Sequence, residues 1–458
     1  MQRPDHGGTF KQQGAVLLVM LIIVIIGITT VLASSLSMAA IKNARQEQTA
    51  AALAQARDAL IGYAITYGDA HPGEVHGFLP CPDHANGNPE GSAELNCGSK
   101  NVSQIGRLPW KTLGLPVLRD GDAECLWYTV SGTFKNNPKT DLMNWDNSGL
   151  FEIVDAGGTT IARNVVAVVF APGAVLGSQN RASDGTAPSC GGNYTAANYL
   201  DQDATLNNAA VSGTASATSQ FRGGPSAQIN DQMVYITRDD VFNALKRRSD
   251  FHAALTDMTR KVAECIADFG KRNNTLSNQS LPWPAPLTLT DYGKNTSYND
   301  KTGLLAGRVP YQTDSARLKT GNSGSSDYLL SSSGNNCPAA TEWPASYPWW
   351  DNWKDHVFYA IAQNFKPDSQ PTLSCGACLK VNGTDNFAAI VMFSGAPLAA
   401  LNQTRTDKSV IANYLEGRNA ANLSLANGTG DYQNGASSER FNDILYCIRT
   451  DLSVVPCP

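Results

Sequence analysis

The chain has 458 residues, 35 basic and 40 acidic side chains, a net charge of −5 and 42% hydrophobic residues. It has no run of Lys and Arg to follow a phosphate backbone, which argues against nucleic acid as a partner, and its apolar content is enough for at least one sizeable core. Charged residues are only 16% of the chain, against ~25% in an average soluble domain, and the Asn, Ser, Thr and Gly that replace them suit an exported, loop-rich β protein.

The first strong element is Ala15 to Ala33 (AVLLVMLIIVIIGITTVLA), which contains no charge and no proline. As a helix at ~1.5 Å per residue it has the length of a ~30 Å bilayer core, and Arg3 and Lys11 in front of it favour a cytoplasmic start. From Ala15 the next proline is Pro72, so one helix is expected to about Tyr67. Its outer half is one-sided, with Leu53, Leu60, Ile61 and Ala64 at helical spacing and Arg57 and Asp58 between them.

Lys11-Gln12-Gln13-Gly14 followed by Ala15-Val16-Leu17-Leu18 resembles a type IV prepilin leader. The resemblance covers about the first fifty residues. It implies cleavage after Gly14 by a prepilin peptidase, methylation at Ala15, storage in membrane lipid and packing with other pilins or minor pseudopilins. Ala15 stands where Phe is common and Val19 where most members carry a Glu that contacts a neighbouring subunit. That departure resembles minor subunits assigned to filament tips. A secretory signal cut near Ala33-Ser34-Ser35 and an uncleaved anchor are the other readings of this segment.

Beyond the helix, sequence blocks recur in one order. Leu79-Pro80-Cys81-Pro82 and Gly106-Arg107-Leu108-Pro109-Trp110 return as Leu281-Pro282-Trp283-Pro284 and Gly307-Arg308-Val309-Pro310-Tyr311. Trp127 to Val130 matches Phe358 to Ile361, and Val166 to Leu176 matches Ala388 to Leu398. Asn198-Tyr199-Leu200 matches Asn413-Tyr414-Leu415, and Ile229-Asn230-Asp231 matches Phe441-Asn442-Asp443. A second helix is expected over about Arg238 to Lys271, capped by Asp239 or Asp240. The expected fold class is α+β: a long N-terminal membrane-spanning helix packed on an antiparallel-sheet head, then a second helix-plus-sheet pilin-like unit. The expected division is 1–14 leader, 15–71 long helix with 15–33 transmembrane, 72–237 first head and 238–458 second unit.

All ten cysteines follow the apolar segment, which reads as disulfides in an oxidising compartment. Short spacing makes Cys81 with Cys97 and Cys447 with Cys457 local pairing candidates. Cys375-Gly376-Ala377-Cys378 has redox-centre spacing, but no helix pattern follows it, so a structural disulfide is the simpler reading. His71, His76 and His84 flank Cys81 without a standard metal spacing. Asp120-Gly121-Asp122-Ala123-Glu124 is a partial calcium-type set, otherwise an exposed turn. Trp343, Trp349, Trp350 and Trp353 crowd into WPASYPWWDNW, either a ligand or partner loop or a piece of core.

No nucleophile elbow, phosphate loop, dinucleotide fingerprint or zinc-protease motif is present, so no enzyme activity, cofactor or metal is expected. The expected function is a minor pilin or pseudopilin of a type IV pilus or type II secretion apparatus. It would sit in the bacterial inner membrane as a single pass with its C-terminal region outside. The alternative is a single-pass, membrane-anchored periplasmic binding protein that does not polymerise. A tethered periplasmic redox protein is a third class.

Overall fold

The computed structural model describes residues 13–85, 87–224, 228–272, 280–313, 327–328, 347–367, 376–425 and 429–458, with the side chains of 13–19, 22–23, 26–37, 272, 312–313 and 327–328 left out. Helix α1, Gln13–Ala70, runs for 58 residues and stops just before His71-Pro72, where proline ends a helical run. No described side chain before Thr49 is buried. From there Leu53, Ala56, Leu60, Ala64 and Tyr67 form one buried stripe, the 3.6-residue pattern of a helix lying on a sheet.

That sheet is built from β1 (Gln104–Arg107), β2 (Trp127–Val130), β3 (Phe151–Val154), β4 (Thr160–Ala171), β5 (Ser219–Arg222) and β6 (Gln232–Thr237). Its order is β1-β2-β4-β3-β5, with β6 also paired to β4. Val165 to Ala171 are all buried, because α1 covers one face of β4 and a smaller cluster of Trp127, Phe151, Phe170, Tyr199 and Phe221 covers the other.

Thr237 then caps α2, Arg238–Lys246, in a capping box with Asp240. Helix α3, Ser249–Arg272, follows after a break at Arg247 and Arg248. The single helix expected over Arg238 to Lys271 is therefore two, and its cap is Thr237, with Asp240 as the reciprocal partner.

The second sheet uses β7 (Ala306–Arg308), β10 (Val357–Ile361), β11 (Leu379–Val381), β12 (Thr384–Phe393), β13 (Asp431–Tyr432), β14 (Ile444–Arg449) and β15 (Val454–Pro456). Between β7 and β10 lie the short pair β8 (Gln312–Thr313) and β9 (Asp327–Tyr328) and helix α4 (Pro348–Trp353). Helix α5 (Gly417–Leu425) precedes β13. The order β7-β10-β12-β11-β13, with β14 on β12, repeats the first sheet strand for strand. Even the register break recurs, between Val165 and Ala167 on β4 and between Phe387 and Ala389 on β12. The second sheet alone has one more strand, β15 on β14.

The expected fold class needs two corrections. Among the described residues no helix is long and apolar enough to cross a membrane. From residue 42 onward α1 carries Lys42, Arg45, Glu47, Arg57 and Asp58. Of the run Ala15 to Ala33 only Met20, Leu21, Val24 and Ile25 have described side chains, so most of that expectation falls outside them. The sheets are also mixed, since β3 with β5 and β11 with β13 are parallel pairs. Short strands that return after long loops can join an edge in either direction, and hydrophobic alternation carries no sign of direction.

Candidate functional site

Beneath α4 the two sheets are joined by the segment between Asp141 and Asn147, which leaves the first unit and enters the core of the second. Its anchor is Trp145, whose ring centroid lies 4.5 Å from that of Trp353 at 70°, with Phe251 and Phe393 also in edge or tilted contact. Polar groups fix the register around it. Asn352 Oδ1 accepts from the Met143 N–H at 2.7 Å, and Asn144 Nδ2 donates to the Asn352 carbonyl at 2.8 Å and to Asp355 Oδ1 at 3.0 Å.

Next to it sits a cluster of buried charged groups. His356 Nδ1 is 2.9 Å from Asp355 Oδ1, and its Nε2 is 3.3 Å from Asp146 Oδ2, an ion-pair distance without hydrogen-bond geometry. Lys408 Nζ contacts Asp355 Oδ2 and lies 3.8 Å from Asp146 Oδ2, which also accepts from the Tyr414 hydroxyl at 2.8 Å. Burial pushes both carboxyls up, but the Lys408 and His356 charges at Asp355, and His356 and Arg405 at Asp146, more than offset it and hold both below the ordinary range.

Asp146, Asp355 and His356 have the donor types of a metal site, with one ligand atom from each within 4.8 Å of the others. The charge count opposes a dication. Lys408 already occupies Asp355, and Arg405 lies close enough to depress Asp146. With the His356 ring fully buried, substrate has no approach to it. The groups bind one another and act as a lock between the two units.

Each unit also carries the same buried constellation. Tyr199 lies between the guanidinium groups of Arg107 and Arg181, at 5.2 and 5.1 Å, and Tyr414 between those of Arg308 and Arg405, at 5.3 and 4.2 Å. A carboxyl pair sits beside each. In the first unit Gln179 Nε2 donates to Asp201 Oδ1 and Asn208 Nδ2 to Asp231 Oδ2, at 2.7 and 3.1 Å. In the second, Gln403 Nε2 donates to Glu416 Oε1 and Asn419 Nδ2 to Asp443 Oδ2, at 3.0 and 2.9 Å. Burial, then repulsion from Asp201, pushes Asp231 up to about 7; burial and Glu416 push Asp443 well up.

The residues expected to act as sites are mostly structural. Trp350 and Trp353 are 1% exposed and Trp349 is half-buried, so this segment is core and not a ligand loop; Trp343 lies outside the described residues. The sequence PWWDNW turns as a helix with Pro at its first turn, which aims Trp350 and Trp353 inward. Cys81 is bonded to Cys97, Cys125 to Cys190, and Cys447 to Cys457. Cys265 and Cys378 are also disulfide-bonded, and Cys375 lies outside the described residues. Gly14, Ala15 and Val19 fall in the first two turns of α1, their side chains undescribed.

The three histidines are engaged separately: His71 stacks on Tyr67, His76 packs against Phe251, and His84 Nε2 lies 2.7 Å from the Ile105 carbonyl. Asp120 is a buried tie and not a cation ligand. Its carboxylate accepts from the N–H groups of Asp122, Glu124 and Gly173, and the Gly121 N–H donates to Thr49 of α1 at 2.9 Å. Asp120→Ala should therefore cost about 1–3 kcal/mol in a urea titration, while calcium should leave the wild-type midpoint unmoved; a calcium-dependent rise would contradict this reading.

Sequence reading missed Trp145, Asp146 and their lock. The available signal was a tryptophan between Asn144 and Asp146 in a stretch with no counterpart in the second copy. No family model, curated protein or solved structure matches the chain.

Proposed function

We propose that the chain is a non-catalytic, pilin-like subunit of a type IV pilus or type II secretion apparatus, with both sheet units in the disulfide-forming space outside the cytoplasm. The observation that carries this reading is the mismatch between α1 and what it covers. Residues 13–48 of the helix are ~54 Å long at ~1.5 Å per residue, and Met20, Leu21, Val24, Met38 and Ile41 on it are more than half exposed. So much apolar helix needs a partner, and the side chains of sister helices supply one by side-by-side packing. The prepilin-like junction at Gly14 and Ala15 supports the same assignment. The buried acid, histidine and arginine groups are spent on holding the fold.

Photo-crosslinkers placed at Met38 and Ile41 should give a ladder of homologous or minor-subunit adducts in the producing cell, and the mature chain should begin at Ala15 with a methylated amine. Monomers alone would favour the tethered binding protein. A mature start near Ser34 would remove the helix and the proposal with it.

A further inference from the structure

The duplicated sheets differ at one edge. In the second unit β14 is covered on its outer side by β15, with Tyr446 opposite Pro456, Cys447 opposite Val455 and Ile448 opposite Val454. The Cys447–Cys457 disulfide holds that strand in place. Matching β4 to β12 puts Val234, Tyr235 and Ile236 of β6 in the positions of Tyr446, Cys447 and Ile448, because Val168 faces Tyr235 as Ile390 faces Cys447. Among the described residues β6 pairs only with β4. The cause lies in the chain path: β6 runs straight into α2 at Arg238, whereas β14 turns back at Asp451 and Leu452 to add the extra strand.

The uncovered edge has a shape to match. A groove of about 500 Å³ runs along it, lined by Arg57, Met233, Val234, Tyr235, Thr237 and Asp240. Tyr235 is half-buried where Cys447 is fully buried. The Tyr235 carbonyl accepts from Arg57 Nε at 3.3 Å, so the backbone groups of this residue face away from β4. Arg57 is itself held by Asp240 at 2.9 Å and acts as a plug on one position of the edge.

We infer that β6 accepts a strand donated by a partner protein: an extended segment with β-branched residues where Val454 and Val455 lie in the second unit, adding antiparallel to Val234–Ile236. A second copy of this chain is a poor donor, because its own Val454–Pro456 is already spent on β14. Its first twelve residues, MQRPDHGGTFKQ, hold no β-branched pair. The inference rests on the internal duplication and not on the pilin reading, so each can fail without the other.

The probe is a peptide with the sequence of residues 452–458, LSVVPCP. In the full-length chain carrying Tyr235→Cys, the peptide, supplied with its cysteine as the thionitrobenzoate mixed disulfide so that thionitrobenzoate leaves, should trap at position 235 at least about tenfold faster than a scrambled peptide activated in the same way, since pairing raises the local concentration. With the unaltered chain and a Cys457→Ser peptide, amide exchange at residues 233–237 should slow. Arg57→Ala should strengthen that protection. Tyr235→Pro, which removes only an outward N–H, should abolish it. Equal trapping of both peptides with unchanged exchange would overturn the inference, as would a concentration-dependent dimer of the chain that Tyr235→Pro dissolves.

Discussion

Asp355→Ala should lower the stability of the protein by about 3–5 kcal/mol and split its unfolding into two steps. The carboxylate is fully buried and is shared by His356, Lys408 and Asn144, so removing it strands three donors at once. Lys408, about a quarter exposed, can turn towards water. His356, with no exposed surface, cannot, and most of the loss belongs there. Asn144 and Trp145 bring the first unit to this point, which is why the damage falls on the junction and not on either sheet. Tryptophan fluorescence against urea would report the junction, and far-ultraviolet circular dichroism the sheets. A single transition with a loss under about 1 kcal/mol would mean that the lock contributes little. Trp145→Ala, about 3–5 kcal/mol for a buried indole, is the companion variant and should split the curve in the same way.

Stability should also fall as pH rises from about 4 to about 7. Asp231 titrates near 3.8 when unfolded and at about 7 when folded, so between those values the native state holds a proton that the unfolded chain has released, and each step upward favours unfolding. Three units correspond to at most roughly 4 kcal/mol, reduced in practice by the carboxyl partner Asp201. Asp443 moves in the same direction. Asp146 and Asp355 act oppositely: held low in the fold, they contribute above the unfolded value near 3.8 and lose that contribution as pH drops below it. The melting temperature should therefore peak between about pH 4 and pH 5. Asp231→Asn, which keeps the shape and removes the titration, should flatten the alkaline side of the peak. A profile flat from pH 4 to 7 in the wild type would contradict an Asp231 that stays protonated in the fold.

The duplicated strands were legible because each block combines a β-branched run with turn residues. Gly106-Arg107 and Gly307-Arg308 end β1 and β7, and the runs from Val166 and Ala388 begin within β4 and β12 and continue past their ends. Their chemistry was not legible. Tyr199 with Tyr414, and Asp231 with Asp443, could be aligned as letters. That each tyrosine sits between two arginines and each aspartate faces a second carboxyl depends on loops that bring Arg181 and Arg405 back across the sheet. The lock was hidden for a different reason. Asn144 and Asp355 are 211 positions apart, and no local pattern links a tryptophan in one copy to a histidine in the other. The tryptophan-rich stretch misled for a third reason, since aromatic density describes an anchor in a core and an exposed ligand surface equally well.

The segment from Asp141 to Asn147 also alters how a pull on the helix would travel. The covalent route from α1 to the second sheet runs through the whole first sheet and then α2. The Trp145 insertion provides a second, shorter route in parallel. Tension applied at the amino end is thus divided between a peptide chain and a set of interlocked rings and amides, and the second sheet cannot peel away until both have yielded. Under such a pull the chain would stretch as one body instead of paying out its distal half first.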